Sequence, residues 1–375
     1  MVDMLDFKIE ESAPVVGDVQ TIGNAHLDDL LRIANERGSS DLHISVGLPP
    51  MVRVDGRLIP IPYEPVSPRD AQRLMYDILT NDQIQWFEKT KELDFSYGLR
   101  DVGRFRVNVY RQRGSVGAAM RAIPTKIPSM EKLGLPAILR DLCKKHSGLI
   151  LVTGPTGSGK STTIATMIDH INSTRDGHIM TIEDPIEYLH QHKKCMVNQR
   201  ELNTDTDSFE NALRAVLRED PDIILVGEMR DLETISAALT LAETGHLVFG
   251  TLHTRNAPQT IDRVVDVFPA HQQEQIKVQL SNSLESVVAQ QLVPRIGGGR
   301  FGAIEIMVAT PAIRNLIREG KTFQIYSSIE TGGAHGMKAM DAVLAEACRG
   351  GVITQEEGLS RAIDRDNYLR LYNGK

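Results

Sequence analysis

Residues 154 to 162 read GPTGSGKST and fit the phosphate-loop pattern G-x-x-x-x-G-K-[ST]. No other stretch constrains the fold so tightly, because such a loop works only between a buried strand and the amino end of a helix. Both flanks are present. The apolar run Leu149 to Val152 precedes the loop, and Ile164, Met167, Ile168 and Ile171 follow at helical spacing. Gly154, Gly157 and Gly159 let the backbone bend until its N–H groups converge on phosphate oxygens. The following helix aims its positive end at the same place. Lys160 is expected to reach the outer phosphates and the Ser161 hydroxyl to ligate magnesium. Thr156, Ser158 and Thr162 complete the expected nucleotide-binding loop.

The rest of residues 137–375 alternates short apolar strands with helices, the pattern of a parallel sheet wrapped by helices. In such sheets ligands sit beyond the carboxyl ends of the strands. "HIMTIEDP" ends in Glu183 and Asp184, "DIILVGE" ends in Glu228, and "HLVFGTLHT" carries His246 before its apolar run and His253 after it. Glu183, Glu228 and His253 are therefore expected to ring the γ-phosphate held by Lys160. The strand "PDIILVGEMRD" is unusual. Its apolar run is normally followed by an Asp that steadies magnesium, whereas here Gly227 comes first and Glu228 one place later. Magnesium keeps several waters and few direct protein ligands, so Glu228 can hold it through a water. Glu183 is then free to polarise the attacking water.

The 375 residues suffice for two or three domains, and 41% hydrophobic with 24% charged is an ordinary globular composition. A net charge of −7 argues against a chain built to coat nucleic acid. No apolar run approaches the roughly 18 residues that span a bilayer, and the acidic start lacks a secretory h-region. Cys143, Cys195 and Cys348 form no C-x-x-C pair and point to a reducing compartment. Residues 1–23 are expected as a flexible N-terminal segment, 24–122 as an α+β domain, and the Pro- and Lys-rich 123–136 as a linker. Leu27, Leu30, Leu31 and Ala34 mark one helix of that first domain, and Asp55-Gly56 a hairpin. "YLHQHKKC" (188–195) reads as a basic loop or edge strand rather than a metal site, and "IGGGR" (296–300) as a hairpin turn.

Two adjacent strands before the linker carry Arg104, Arg106, Arg111, Arg113 and Arg121. One reading is a basic sheet face. The other is arginine fingers that close on phosphates from outside the nucleotide domain. The segment "AIRNLIREGK" (312–321) reads as an amphipathic helix with Ile313, Leu316 and Ile317 inward and Arg314, Arg318 and Lys321 outward.

The phosphate loop, the acidic box "TIEDPIEY", the strand "ILVGEMRD" and the histidine box "TGHLVFGTLHT" together resemble the secretion and type IV pilus motor ATPases, with the match running from about residue 24 to about residue 345. The resemblance implies a RecA-like P-loop ATPase core with a smaller PAS-like N-terminal domain, ATP and Mg2+ as cofactors, and a homohexamer. It places that hexamer at the cytoplasmic face of the inner membrane, against a pilus platform protein. An accessory retraction ATPase is expected as a further partner, and the charge balance makes nucleic acid an unexpected one. The resemblance makes Glu183 the general base, Glu228 the magnesium-side acid, Arg106 and Arg121 the arginines that reach the nucleotide, and His246 and His253 sensors of its state. Within the family, "AIRNLIREGK" is the signature of the retraction branch, so Ile313, Arg314, Leu316, Ile317 and Arg318 are expected to couple hydrolysis to pilus disassembly. An accessory retraction paralogue, an extension or type II secretion ATPase, and a non-hydrolysing nucleotide-gated assembly protein stay open as alternatives.

Overall fold

The computed structural model describes residues 19–124 and 126–374. Most of the segment expected to be flexible, 1–23, lies outside the described residues. Its end is packed: Gln20 exchanges backbone hydrogen bonds with Pro62 and Glu64, and Ile22 is buried. The chain divides into two compact units, one ending at residue 125 and the other beginning at Lys126.

The first unit is a six-stranded antiparallel sheet ordered β3-β2-β1-β6-β5-β4, with strands β1 (Asp41–Ile44), β2 (Met51–Val54), β3 (Arg57–Pro60), β4 (Glu92–Leu99), β5 (Gly103–Gln112) and β6 (Ser115–Ile123). The β2–β3 hairpin turns on Asp55 and Gly56, both at positive φ, as a tight two-residue turn requires. The helix Leu27–Glu36 buries Leu27, Leu30, Leu31 and Ala34, one stripe at helical spacing, in the core shared with Val107, Val109 and Met120.

The second unit holds a seven-stranded sheet ordered β13-β12-β7-β11-β10-β8-β9, formed by β7 (Gly148–Thr153), β8 (Gly177–Glu183), β9 (Cys195–Glu201), β10 (Ile223–Val226), β11 (Leu247–Leu252), β12 (Leu284–Pro294) and β13 (Arg300–Val308). All pairings are parallel except the β12–β13 hairpin, which turns through residues 295–299. The central strands β7, β10 and β11 are buried throughout and mostly apolar because helices cover both faces. Leu149 and Leu151 enter one core, and Ile150 and Val152 the other. The boundary between the two units falls within 123–136, the stretch expected as a linker. Ile123 ends β6, and Met130 is buried with Leu139 in the second unit.

Candidate nucleotide site

The phosphate loop joins β7 to the helix Lys160–Thr174. Gly154 has φ 142°, and a Cβ there would lie 2.2 Å from the Gln290 carbonyl oxygen of β12, so no side chain fits. Lys160 Nζ donates to the carbonyls of Gly154 at 2.7 Å and Pro155 at 3.2 Å. Burial lowers its pKa, opposed by the charges of Glu228 and Glu187. A cavity of about 480 Å³ opens over the loop, and its wall includes Glu183, Asp184, Tyr188, Glu228, Arg230 and His253.

The parallel register explains this convergence: β8, β10 and β11 all end at the edge where β7 delivers the loop. Glu183, the last residue of β8, is half-buried. Its Oε1 accepts from Thr181 Oγ1 at 2.6 Å and from Gln199 Nε2 at 3.1 Å. Burial nevertheless pushes its carboxyl up to about 7. Glu228 is the opposite case. Burial would raise it, but Arg230 Nε at 2.5 Å and His253 Nε2 at 2.8 Å, both on Oε1, hold it below the usual carboxylate range. Two carboxyls in one cavity are thus tuned apart, one near neutrality and one firmly ionised, as acid–base division of labour requires. The oxygens of Ser161, Glu228 and Asp184 are hard donors of the kind that suits magnesium.

The family model for type II/IV secretion system proteins matches residues 20–356, most of the chain. The chain belongs to that family. The type IV pilus retractation ATPase PilT of Pseudomonas aeruginosa is 53% identical over 342 residues, 91% of this chain and 99% of that protein. The type IV pilus ATPase PilU of the same organism is 43% identical over 345 residues, 92% of this chain and 90% of that one. A crystal structure of the pilus retraction motor PilT with bound ADP superposes with a TM-score of 0.86 at 50% identity, covering 92% of this chain and 100% of that one. The protein is an ATPase of the family, and its second unit carries the fold of those ATPases.

In this member of the secretion ATPase family Gly154, Thr156, Gly157, Ser158 and Gly159 lie in the loop, Lys160, Ser161 and Thr162 open the helix that follows, and Glu183, Glu228 and His253 line the cavity above them. His246 does not join them. It precedes β11, at the end of the sheet opposite His253, and its Nδ1 contacts the Leu241 carbonyl at 2.9 Å and Thr244 Oγ1 at 3.2 Å. The sensor role that the resemblance implies for His246 therefore finds no support in the lining of this cavity.

Arg106 and Arg121 belong to the first unit, where they face each other across the β5–β6 register. Arg121 Nε pairs with Asp41 at 2.9 Å and Arg106 Nε lies 3.9 Å from Asp94, yet both guanidinium side chains stay largely solvent-exposed. Arg111 has a structural use, bonding Glu88 at 2.6 Å and lying 5.6 Å from the Phe87 ring centroid.

The helix Pro311–Arg318 buries Ile313 and Ile317, and Leu316 packs partly against the same core. Arg318 is exposed, but Arg314 is not outward as expected. Its guanidinium donates to the carbonyls of Ser281 at 2.7 Å and Asn282 at 2.8 Å and pairs with Glu285 at 2.7 Å. It closes the carboxyl end of the helix Ala270–Ser283.

Sequence reasoning missed Thr181, Gln199, Tyr188 and Arg230. Thr181 had a usable signal, since it shares a strand face with Glu183 by the period of two. Gln199 had none, because nothing local says that β9 pairs with β8.

Proposed function

We propose that the chain hydrolyses Mg-ATP as a homohexameric motor of type IV pilus retraction, working from the cytoplasmic face of the inner membrane against a pilus platform protein. The observation that carries this reading is the near-full-length relationship to a relative named for retraction. The cavity supplies the chemistry. Lys160 steadies the outer phosphates. Glu183 takes a proton from the attacking water as its oxygen bonds to the γ-phosphorus. The bond to the bridging oxygen breaks, leaving ADP and inorganic phosphate. The Ser161 hydroxyl and the Glu228 carboxylate, directly or through a water, would hold magnesium, which when bound neutralises charge on the phosphate oxygens. Arg106 and Arg121 offer transition-state charge to the nucleotide of their own or a neighbouring subunit.

The test is a deletion strain scored for surface pili and twitching, beside ATP turnover of the purified chain. Retraction predicts excess pili without twitching, and an extension motor predicts no pili. Twitching that persists at wild-type force favours an accessory role, the reading that the relative PilU keeps open. Absence of turnover returns the chain to a nucleotide-gated assembly protein.

A further inference from the structure

Glu183 is not free to swing. Thr181 and Gln199, which both donate to its Oε1, are partners in the β8–β9 register, so one rung of the sheet carries both donors. The Gln199 amide is itself fixed. Its Oε1 accepts the His190 backbone N–H at 2.8 Å, while Nε2 donates to the Tyr188 carbonyl at 2.9 Å as well as to Glu183. Turning the amide over would set its NH2 against an N–H and its oxygen against a carboxylate and a carbonyl, so all three bonds fix one orientation. The same side chain therefore holds the end of β8 and the segment 188–190. That segment also reaches the phosphate loop, because the Tyr188 and Thr162 hydroxyls lie 2.9 Å apart.

We propose that Gln199 is a positioning residue for hydrolysis. It clamps the Glu183 carboxylate and ties it, through Tyr188, to the phosphate loop, so that base and γ-phosphate keep one spacing. This rests on the reading of Glu183 as the base. Gln199 is not among the residues that line the cavity over the phosphate loop, so its loss acts on kcat and spares binding.

The experiment is steady-state hydrolysis by the full-length protein carrying Gln199→Leu, Glu183→Gln, or both, with ADP affinity and melting temperature measured on each. The expected result for Gln199→Leu is a kcat loss of roughly 10- to 100-fold, the scale of a misplaced reacting group, with KM and ADP affinity within about twofold. In the Glu183→Gln background the same change removes nothing further. Unchanged kcat in Gln199→Leu overturns the proposal. So does an equal proportional loss in both backgrounds, which would make the residue merely structural. If Glu183→Gln alone keeps its kcat, the base reading itself fails and the clamp has nothing to hold. Should Gln199→Leu not fold, Gln199→Met keeps the side-chain length, and Thr181→Val removes the other donor of the same rung. Both are held to the same split.

Discussion

The backbone of Gly227 packs directly against that of Glu183. A Cβ at 227 would lie 3.0 Å from the Glu183 Cα and 3.0 Å from the Ile182 carbonyl oxygen, to which the Gly227 N–H already donates at 2.8 Å. The close approach fits a glycine at the position where a strand of this kind usually carries Asp. A side chain there would push on the residue that carries the proposed base, and the acid moves one place on, to Glu228. Gly227→Asp, which writes the more usual residue into the strand, should lower kcat by roughly 10²-fold by displacing Glu183. Gly227→Ala should fall between it and wild type. Turnover of the Asp variant at the wild-type rate would mean that β8 and β10 yield without consequence.

Glu183 also predicts two opposed pH dependences. A base must be deprotonated, so with its carboxyl at about 7 kcat should rise with pH through that value and fall about tenfold per unit below it. Stability runs the other way. A carboxyl raised by folding binds a proton in the folded state that the unfolded chain has released, so its contribution is fully present below about 4.5 and lost as pH rises through 7. Glu305, buried and also pushed up to about 7, adds a slope of the same sign. Glu183→Gln should erase the kcat limb and leave the Glu305 share of the stability slope. A flat rate between about pH 6 and 8 in the wild type would remove Glu183 as the base.

The parts of the site legible in sequence were those set by one segment at a time. The phosphate loop needs its glycines in order, and an apolar run followed by an acid announces a strand end. What failed depended on distance. His246 and His253 sit close in sequence, but the strand between them spans about 20 Å at some 3.3 Å per residue. Arg314 looked like a solvated charge because its acceptors, Ser281 and Asn282, lie on another helix. Gln199 required the strand order, which periodicity does not contain.

Glu228 and Glu183 should separate by their dependence on magnesium. Glu228 is kept ionised by Arg230 and His253, as a cation ligand should be. Glu183→Gln should cut kcat by roughly 10²–10⁴-fold, the worth of a general base, with ordinary magnesium dependence of nucleotide binding. Glu228→Gln should need more magnesium to bind ATP. Titrations of nucleotide binding against magnesium decide it, and matching curves would refute this division of labour.

Arg106 and Arg121, exposed and opposite one another, should act after binding. Alanine at either should lower kcat by up to roughly 10³-fold, the scale of an arginine finger, with ADP affinity little changed. A variant with normal kcat is returned to the basic-face reading, its pairing with Asp94 or Asp41 then being its whole role.

The helix Pro311–Arg318 lets stability be tested apart from the proposed coupling within about two turns. Ile313→Ala should destabilise by roughly 2–5 kcal/mol, since the side chain is fully buried. Arg314→Ala should cost about 1–3 kcal/mol, because it strips donors from two carbonyls at a helix end and leaves Glu285 with Lys145 as its remaining cation of the two. A motility defect in that variant would therefore be ambiguous. Arg318 has no such burden. It is exposed at the end of the helix, so Arg318→Ala should stay within about 0.5 kcal/mol of wild type. If this helix transmits hydrolysis to the pilus platform, cells carrying Arg318→Ala should lose twitching while the purified protein keeps its melting temperature, its assembly state and its nucleotide affinity. The decisive comparison is twitching beside thermal melting for Arg318→Ala and Arg314→Ala. Normal twitching in the first, with loss confined to the second and proportional to its instability, would make this segment a structural helix and remove it from the case for retraction.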